Sequence, residues 1–234
     1  MFNVHAFLSY FDNEFLLGGL IWTVLLTIFP MLAGLLLGMV LALARGSDVR
    51  PFSAAAAFYI WLFRGTPLIV QLVIIYTGLP QIGLKFGVVT SAFLGLTMNE
   101  AAYLSEIIRA GFAAIPSGQR DAAKALGLRP AQTLRLVTLP QAFRIILPPL
   151  GNSVNGLLKA TAITSVISME EMMRRGQMLM QVNFDVLEVY CAIAIYYLVL
   201  TSLWDAVQRA LERRANRGHA AVTGLGPAPV VVDG

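Results

Sequence analysis

Inside an otherwise apolar run, the segment Asn99-Glu-Ala-Ala-Tyr-Leu-Ser-Glu-Ile-Ile-Arg109 carries an amide, two carboxylates, a phenol and a guanidinium. Asn99, Tyr103, Glu106 and Ala110 follow steps of four, three and four, so a helix gathers them into one stripe, with Glu100 on a neighbouring face. Glu106 and Arg109, three apart, suit an internal ion pair. Glu100 has no such partner in sequence. Ionisable groups in a membrane are costly and mark pathways by default. Asn99, Glu100 and Tyr103 are therefore expected beside a polar path, where Glu100 would meet an ammonium group. A later apolar run holds Asn152, Asn155, Lys159, Thr161 and Thr164. There Lys159 could balance Glu100, bind a carboxylate, or serve structure alone.

These groups need a scaffold that holds them in lipid. The 234 residues are 57% hydrophobic and only 13% charged, with mean hydropathy +0.72. Soluble domains carry about 25% charged residues, so the balance points to an all-α polytopic membrane protein. Spanning takes about 20 apolar residues, and about five runs qualify: 15–44, 53–79, 86–110, 142–167 and 186–207. They are too continuous for the strands of an outer-membrane barrel. The second is interrupted at Arg64-Gly65-Thr66-Pro67, where proline withdraws a donor. The expected arrangement is an interfacial helix over 52–63, Arg64 reaching the cytoplasmic surface, and a span starting at Gly65. A discontinuous helix facing a cavity is the other reading. Acidic Asp12 and Glu14 argue against a cleavable signal peptide.

Of the 17 Lys and Arg residues, 12 fall on one side of these spans, which makes that side cytoplasmic. The N-terminus is then outside and the C-terminus inside. Residues 1–214 form the membrane domain, with 111–140 a cytoplasmic loop and 215–234 a flexible tail. The Glu170-Glu171 and Arg174-Arg175 cluster is expected in a solvated external loop, and Met169 to Met180 in packing. Cys191 is the only cysteine, and His5 and His219 lie near opposite ends, so no metal site is expected. Neither a nucleophile elbow nor a phosphate-binding loop is present, so no catalytic residue is assigned.

The cytoplasmic loop contains Arg120-Asp-Ala-Ala-Lys-Ala-Leu-Gly127, charged and helix-forming. Ser117 is expected to cap a helix that Gly127 ends in a left-handed conformation. Pro130 would open a second short helix, stopped by Leu139-Pro140. A helix of this length does not stand alone in water and needs a docking surface. Ala122, Ala123 and Leu126 give it a small apolar face suited to a groove.

The pattern Asp121-Ala122-Ala123, three residues, Gly127, nine residues, Val137-x-Leu139-Pro140 resembles the Glu-Ala-Ala loop of ABC importer membrane subunits, with Asp for Glu and Val for Ile. Phe63-Arg-Gly-Thr-Pro-Leu-Ile-Val-Gln71, Asn99 to Gly111, Ile115-Pro-Ser-Gly-Gln119, Leu139-Pro-Gln-Ala-Phe-Arg144 and Pro148-Pro-Leu-Gly-Asn152 resemble polar amino acid permeases of the histidine, glutamine and arginine type. The likeness runs from about residue 15 to 210. It implies a type I ABC importer permease in a bacterial inner membrane, acting with an ATPase subunit, an external amino acid-binding protein and a second permease subunit. ATP and magnesium would sit on the ATPase, with no cofactor on this chain and no nucleic-acid partner. The resemblance makes Asp121, Ala122, Ala123, Leu126 and Gly127 the coupling contact. It puts a substrate-holding Asp or Asn after the lysine, where this chain has Ala160. A small oligomeric channel or an ion-coupled transporter is the competing class, but neither needs such a docking helix.

Overall fold

The computed structural model describes residues 2–223, with side chains to Asn216. It is all-helical, and no strand forms among the described residues. A short α1, Val4–Ser9, precedes α2, Glu14–Arg45, whose start is capped by Asn13 accepting from the Leu16 amide at 3.0 Å. The 32 residues of α2 reach about 48 Å, more than the thickness of a bilayer core. Then come α3, Arg50–Gly65, and α4, Leu68–Val73, which runs on through a π turn and a 3-10 turn to Ile82. Next are α5, Val88–Ala113, α6, Ser117–Ala125, and α7, Pro130–Thr133. After a π turn over Leu134–Thr138 come α8, Leu139–Ala160, α9, Met172–Asn183, and α10, Val186–Thr223.

By length and apolarity, α2 and the Val186–Asn216 part of α10 can each cross a membrane unaided. The pair Arg50–Gly65 and Leu68–Ile82 does so only as one broken span, bent by 106°. Helices α5 and α8 are long enough to cross, and they carry the polar residues. The core joins α2, α4, α5 and α8 through Leu26, Leu72, Leu96, Leu104, Val154 and Leu157. Outside it, Leu36, Leu43, Trp61 and Leu198 are 64–71% exposed, an apolar coat suited to lipid.

Lipid is as apolar as leucine, so helices associate there by close packing. Gly34-x-x-x-Gly38 supplies this on α2. A Cβ on Gly38 would stand 3.0 Å from the Ala101 carbonyl and 3.1 Å from Leu104 Cβ. One on Gly34 would stand 3.3 Å from Glu100 Cβ. The missing side chains let α2 lie directly on α5.

The break at 64–67 bends the chain by 106° between α3 and α4, and α3 packs on α2 and α5 through Ala56 and Tyr59. Several expectations need correction. Ser117 is the first residue of α6; Pro116 takes the cap position and no side chain bonds there. Leu139-Pro140 does not stop the chain's helical path, because Pro140 lies in the first turn of α8, where an amide has no helical acceptor. The acidic and basic cluster after Met169 is not a solvated loop. Glu171 is fully buried and caps α9, accepting from the Met173 and Arg174 amides at 2.9 and 2.8 Å. Arg175 pairs with Glu170 and donates to the Phe15 carbonyl at 2.8 Å. Glu171, the Met172 amide and Arg175 bond to Thr23 and Phe15 and hold α9 on α2. Met169 and Met172 are packed, as expected. Helix α10 runs on to Thr223, into the segment expected as a flexible tail; residues 224–234 lie outside the described residues.

Candidate functional site: a polar face in the membrane and an exposed short helix

The stripe on α5 forms as its spacing requires, and it faces the corner between α3 and α4. At its upper end Asn99 donates to the Phe63 carbonyl at 3.3 Å and to Gln71 Oε1 at 3.0 Å. Gln71 Nε2 in turn donates to the Phe63 carbonyl at 2.9 Å and to the Thr66 carbonyl at 3.1 Å. A broken helix frees carbonyls that lipid cannot satisfy, and these two amides satisfy them. One turn below, the Arg64 guanidinium lies over the Tyr103 ring at 5.5 Å. Lower again, Glu106 holds Arg109 at 2.8 Å and Arg64 at 3.8 Å. The expected Glu106–Arg109 pair is present, and Arg64 turns onto α5 beside it.

Glu100 points the other way. It is 6% exposed, set against Gly34, and accepts a hydrogen bond from Ser153 Oγ on α8. The structure thus gives Glu100 the partner that its own run lacks. Thr161 is fully buried and donates to the Leu158 carbonyl at 2.7 Å. Of the five residues expected on the pathway, only Tyr103 and Lys159 have exposed side chains.

The open polar surface lies on α8. Asn152, Gly156 and Lys159 follow steps of four and three and are all exposed. Nothing lies within 4 Å of a Cβ built on Gly156. At the edge of this stripe Asn155 Nδ2 donates to Asp205 Oδ1 on α10 at 3.0 Å. A lysine and an asparagine do not face acyl chains at low cost, so this side of α8 suits a wet path or another subunit.

In the loop between α5 and α8, α6 ends in a Schellman motif. Gly127 has φ +75°, its amide donates to the Lys124 carbonyl at 2.9 Å, and the Leu128 amide to the Ala123 carbonyl at 3.1 Å. The left-handed glycine is as expected. Ala123 is 3% exposed, turned into the loop's own packing, so it does not share the outer face with Ala122. Leu126 is 80% exposed, and Asp121 and Lys124 pair at 4.0 Å beside it. The chain offers solvent a leucine at the end of a nine-residue helix.

A family model described as "Binding-protein-dependent transport system inner membrane component" matches residues 34–217. The chain belongs to that family. This inner-membrane component is 40% identical over 201 residues to the arginine transport system permease protein ArtQ of Bacillus subtilis (strain 168), covering 86% of this chain and 92% of the relative. It is 39% identical over 201 residues to the L-cystine transport system permease protein TcyB of the same organism, covering 86% of each. The glutamine transport system permease protein GlnP of Escherichia coli (strain K12) is 36% identical over 201 residues, covering 85% and 92%. Among solved structures, one described as an amino acid ABC transporter with histidines superposes with TM-score 0.84 at 39% identity, covering 89% of this chain and 98% of that one. The inward-facing MetNI methionine ABC transporter shares the fold, with TM-score 0.66 at 20% identity and coverage of 87% and 95%.

Sequence reasoning missed Gln71 as the clasp of the corner, Ser153 as the partner of Glu100, and Asp205. Gly34-x-x-x-Gly38 was a readable signal for close packing. Asp205, one acid in an apolar run, was a readable signal for a functional group. Nothing in sequence joins Gln71 to Phe63 or Ser153 to Glu100.

Proposed function

We propose that this chain is the membrane-spanning subunit of an ATP-driven importer that carries a polar amino acid or close analogue into the cytoplasm. The observation that carries this reading is α6: a helix too short to stand alone, closed by a left-handed glycine, with Leu126 held out to solvent. A channel or an ion-coupled transporter has no use for it. The partner is an ATPase subunit that binds ATP and magnesium, and Asp121, Ala122, Leu126 and Gly127 form the contact, with Ala123 supporting it from inside. An external amino acid-binding protein delivers substrate, and a second permease subunit completes the path. Lys159 lines that path, with Tyr103 nearer the cytoplasm. Asn99, Glu100 and Thr161, bonded within the chain, hold the walls. The N-terminus lies outside and the C-terminus in the cytoplasm, as the Lys and Arg distribution favours.

Closure of the ATPase subunits would draw the docking helices together and rock the spans. That shift requires only that α6 be held differently in the two ATPase states. The test is co-purification from native membranes. Wild type should bring down an ATP-hydrolysing subunit. Gly127→Val should insert at normal yield and lose that partner, because a β-branched residue at φ +75° is strongly disfavoured. An ATPase bound equally by the variant, or absent from both, defeats the assignment.

A further inference from the structure

The bend between α3 and α4 leaves a cavity of about 340 Å³ against α5, and nothing above fills it. Its wall is Leu62 and Phe63 from the end of α3, Val70 and Ile74 after the break, and Leu94 and Met98 from α5. Thr66 and Gln71 also line it, but their donors are engaged by carbonyls: Thr66 Oγ1 gives to Leu62 at 2.8 Å, and Gln71 Nε2 gives to Phe63 and Thr66. What remains to meet an occupant is hydrocarbon. Leu62, Val70 and Ile74 are exposed, so the cavity opens at the surface of the chain. In a membrane that surface meets acyl chains.

The same corner carries unbalanced positive charge. Arg64 stands in sequence between Phe63 and Thr66, both on the cavity wall. It shares Glu106 with Arg109, at 3.8 and 2.8 Å. The field of Arg45, in the last turn of α2, reaches the same carboxylate. Among the described residues no other carboxylate pairs with these arginines, so three guanidiniums stand against one carboxylate. Arg64 and Arg109 are exposed and keep N–H donors to give. A guanidinium fork matches phosphate oxygens in pairs. Depth also fits. Arg64 lies over Tyr103, and Met98 and Leu94 are five and nine residues nearer the start of α5, about 8 and 14 Å along its axis. The hydrocarbon of one leaflet is about 15 Å deep. A phosphate at Arg64 is therefore within one acyl chain of the cavity. We propose that this corner binds an anionic phospholipid, its phosphate on Arg64 and Arg109 and one acyl chain in the cavity. A zwitterionic headgroup brings its own cation and cancels the attraction; a net negative one answers the excess of guanidiniums. Bound there, the lipid braces the broken span against α5 from outside, where Gln71 and Asn99 clasp it from within.

The test is native mass spectrometry of the permease, with the chains that accompany it, extracted from vesicles of equal dioleoyl-phosphatidylglycerol and dioleoyl-phosphatidylcholine. Wild type should retain phosphatidylglycerol over phosphatidylcholine by about fivefold or more. Arg64→Gln, which leaves Glu106 paired with Arg109, should bring that ratio close to one, and Arg64→Lys should keep much of it because the charge remains. Val70→Phe, which fills the cavity from its mouth, should lower the phosphatidylglycerol retained while every arginine stays in place. These last two variants keep the test open should Arg64→Gln fail to fold. A wild-type ratio near one overturns the inference, as does a preference that survives Arg64→Gln. A preference untouched by Val70→Phe would leave a headgroup contact with no chain in the cavity, which also overturns it. Should Val70→Phe instead part the permease subunits with its lipid ratio unchanged, the cavity belongs to the second subunit and the inference fails.

Discussion

Two amides carry the corner between α3 and α4, and their shares are unequal. Gln71 donates to the carbonyls of Phe63, in the last turn of α3, and Thr66, at the break, whereas Asn99 adds one bond to Phe63 and one to Gln71. A buried acceptor left without a donor costs about 1–3 kcal/mol. Gln71→Ala strands the Thr66 carbonyl and opens a cavity at a buried position, while Asn99→Ala, at a half-buried position, leaves Phe63 served by Gln71 and strands one side-chain oxygen, Gln71 Oε1. Thermal unfolding in detergent should therefore show Gln71→Ala as the more damaging change, and equal or reversed losses would remove Gln71 as the clasp. Gly38 is a second residue with a sharp expectation. A side chain there meets the Ala101 carbonyl, which is backbone and cannot swing aside. Gly38→Leu should cost about 1–3 kcal/mol by overpacking and lower the unfolding temperature. A variant as stable as wild type would mean that α2 and α5 are not packed this closely.

At the scale of elements, α5 connects the corner to α6, the proposed docking helix. Asn99, Tyr103 and Glu106 hold Phe63, Gln71 and Arg64 along one stripe, and seven residues beyond Glu106 the helix ends and α6 follows. A push on α6 is thus delivered to a helix that already grips a broken span. Leu126 is the part of α6 that gains most by burial. Leu126→Ala should weaken ATPase co-purification without lowering permease yield, since the side chain is 80% exposed and supports nothing in its own chain. Unchanged recovery of the partner would shift the contact to another part of the loop.

For the whole molecule, sidedness is the property most open to direct test. With Cys191 replaced by Ser, a cysteine at exposed Ser117 should react with a membrane-impermeant maleimide in inside-out vesicles and stay silent in intact cells. Labelling from the outer face would invert the orientation and place the docking loop on the wrong side for an ATPase.

Composition and run length alone determined that the chain is an all-helical membrane protein, because lipid leaves backbone groups no partner but their own helix. Local chemistry also determined the left-handed stop at Gly127, the Glu106–Arg109 pair and the stripe on α5, since each depends on residues three or four apart. Only the tertiary structure decided what the stripe faces, that Glu100 is answered by Ser153, that Glu171 is buried, and that Asp205 meets Asn155. Those contacts join residues far apart in the chain, from 28 positions for Asn99 and Gln71 to 53 for Glu100 and Ser153. Helical periodicity assigns a side chain to a face of its own helix; which other helix covers that face is set by how the whole bundle packs.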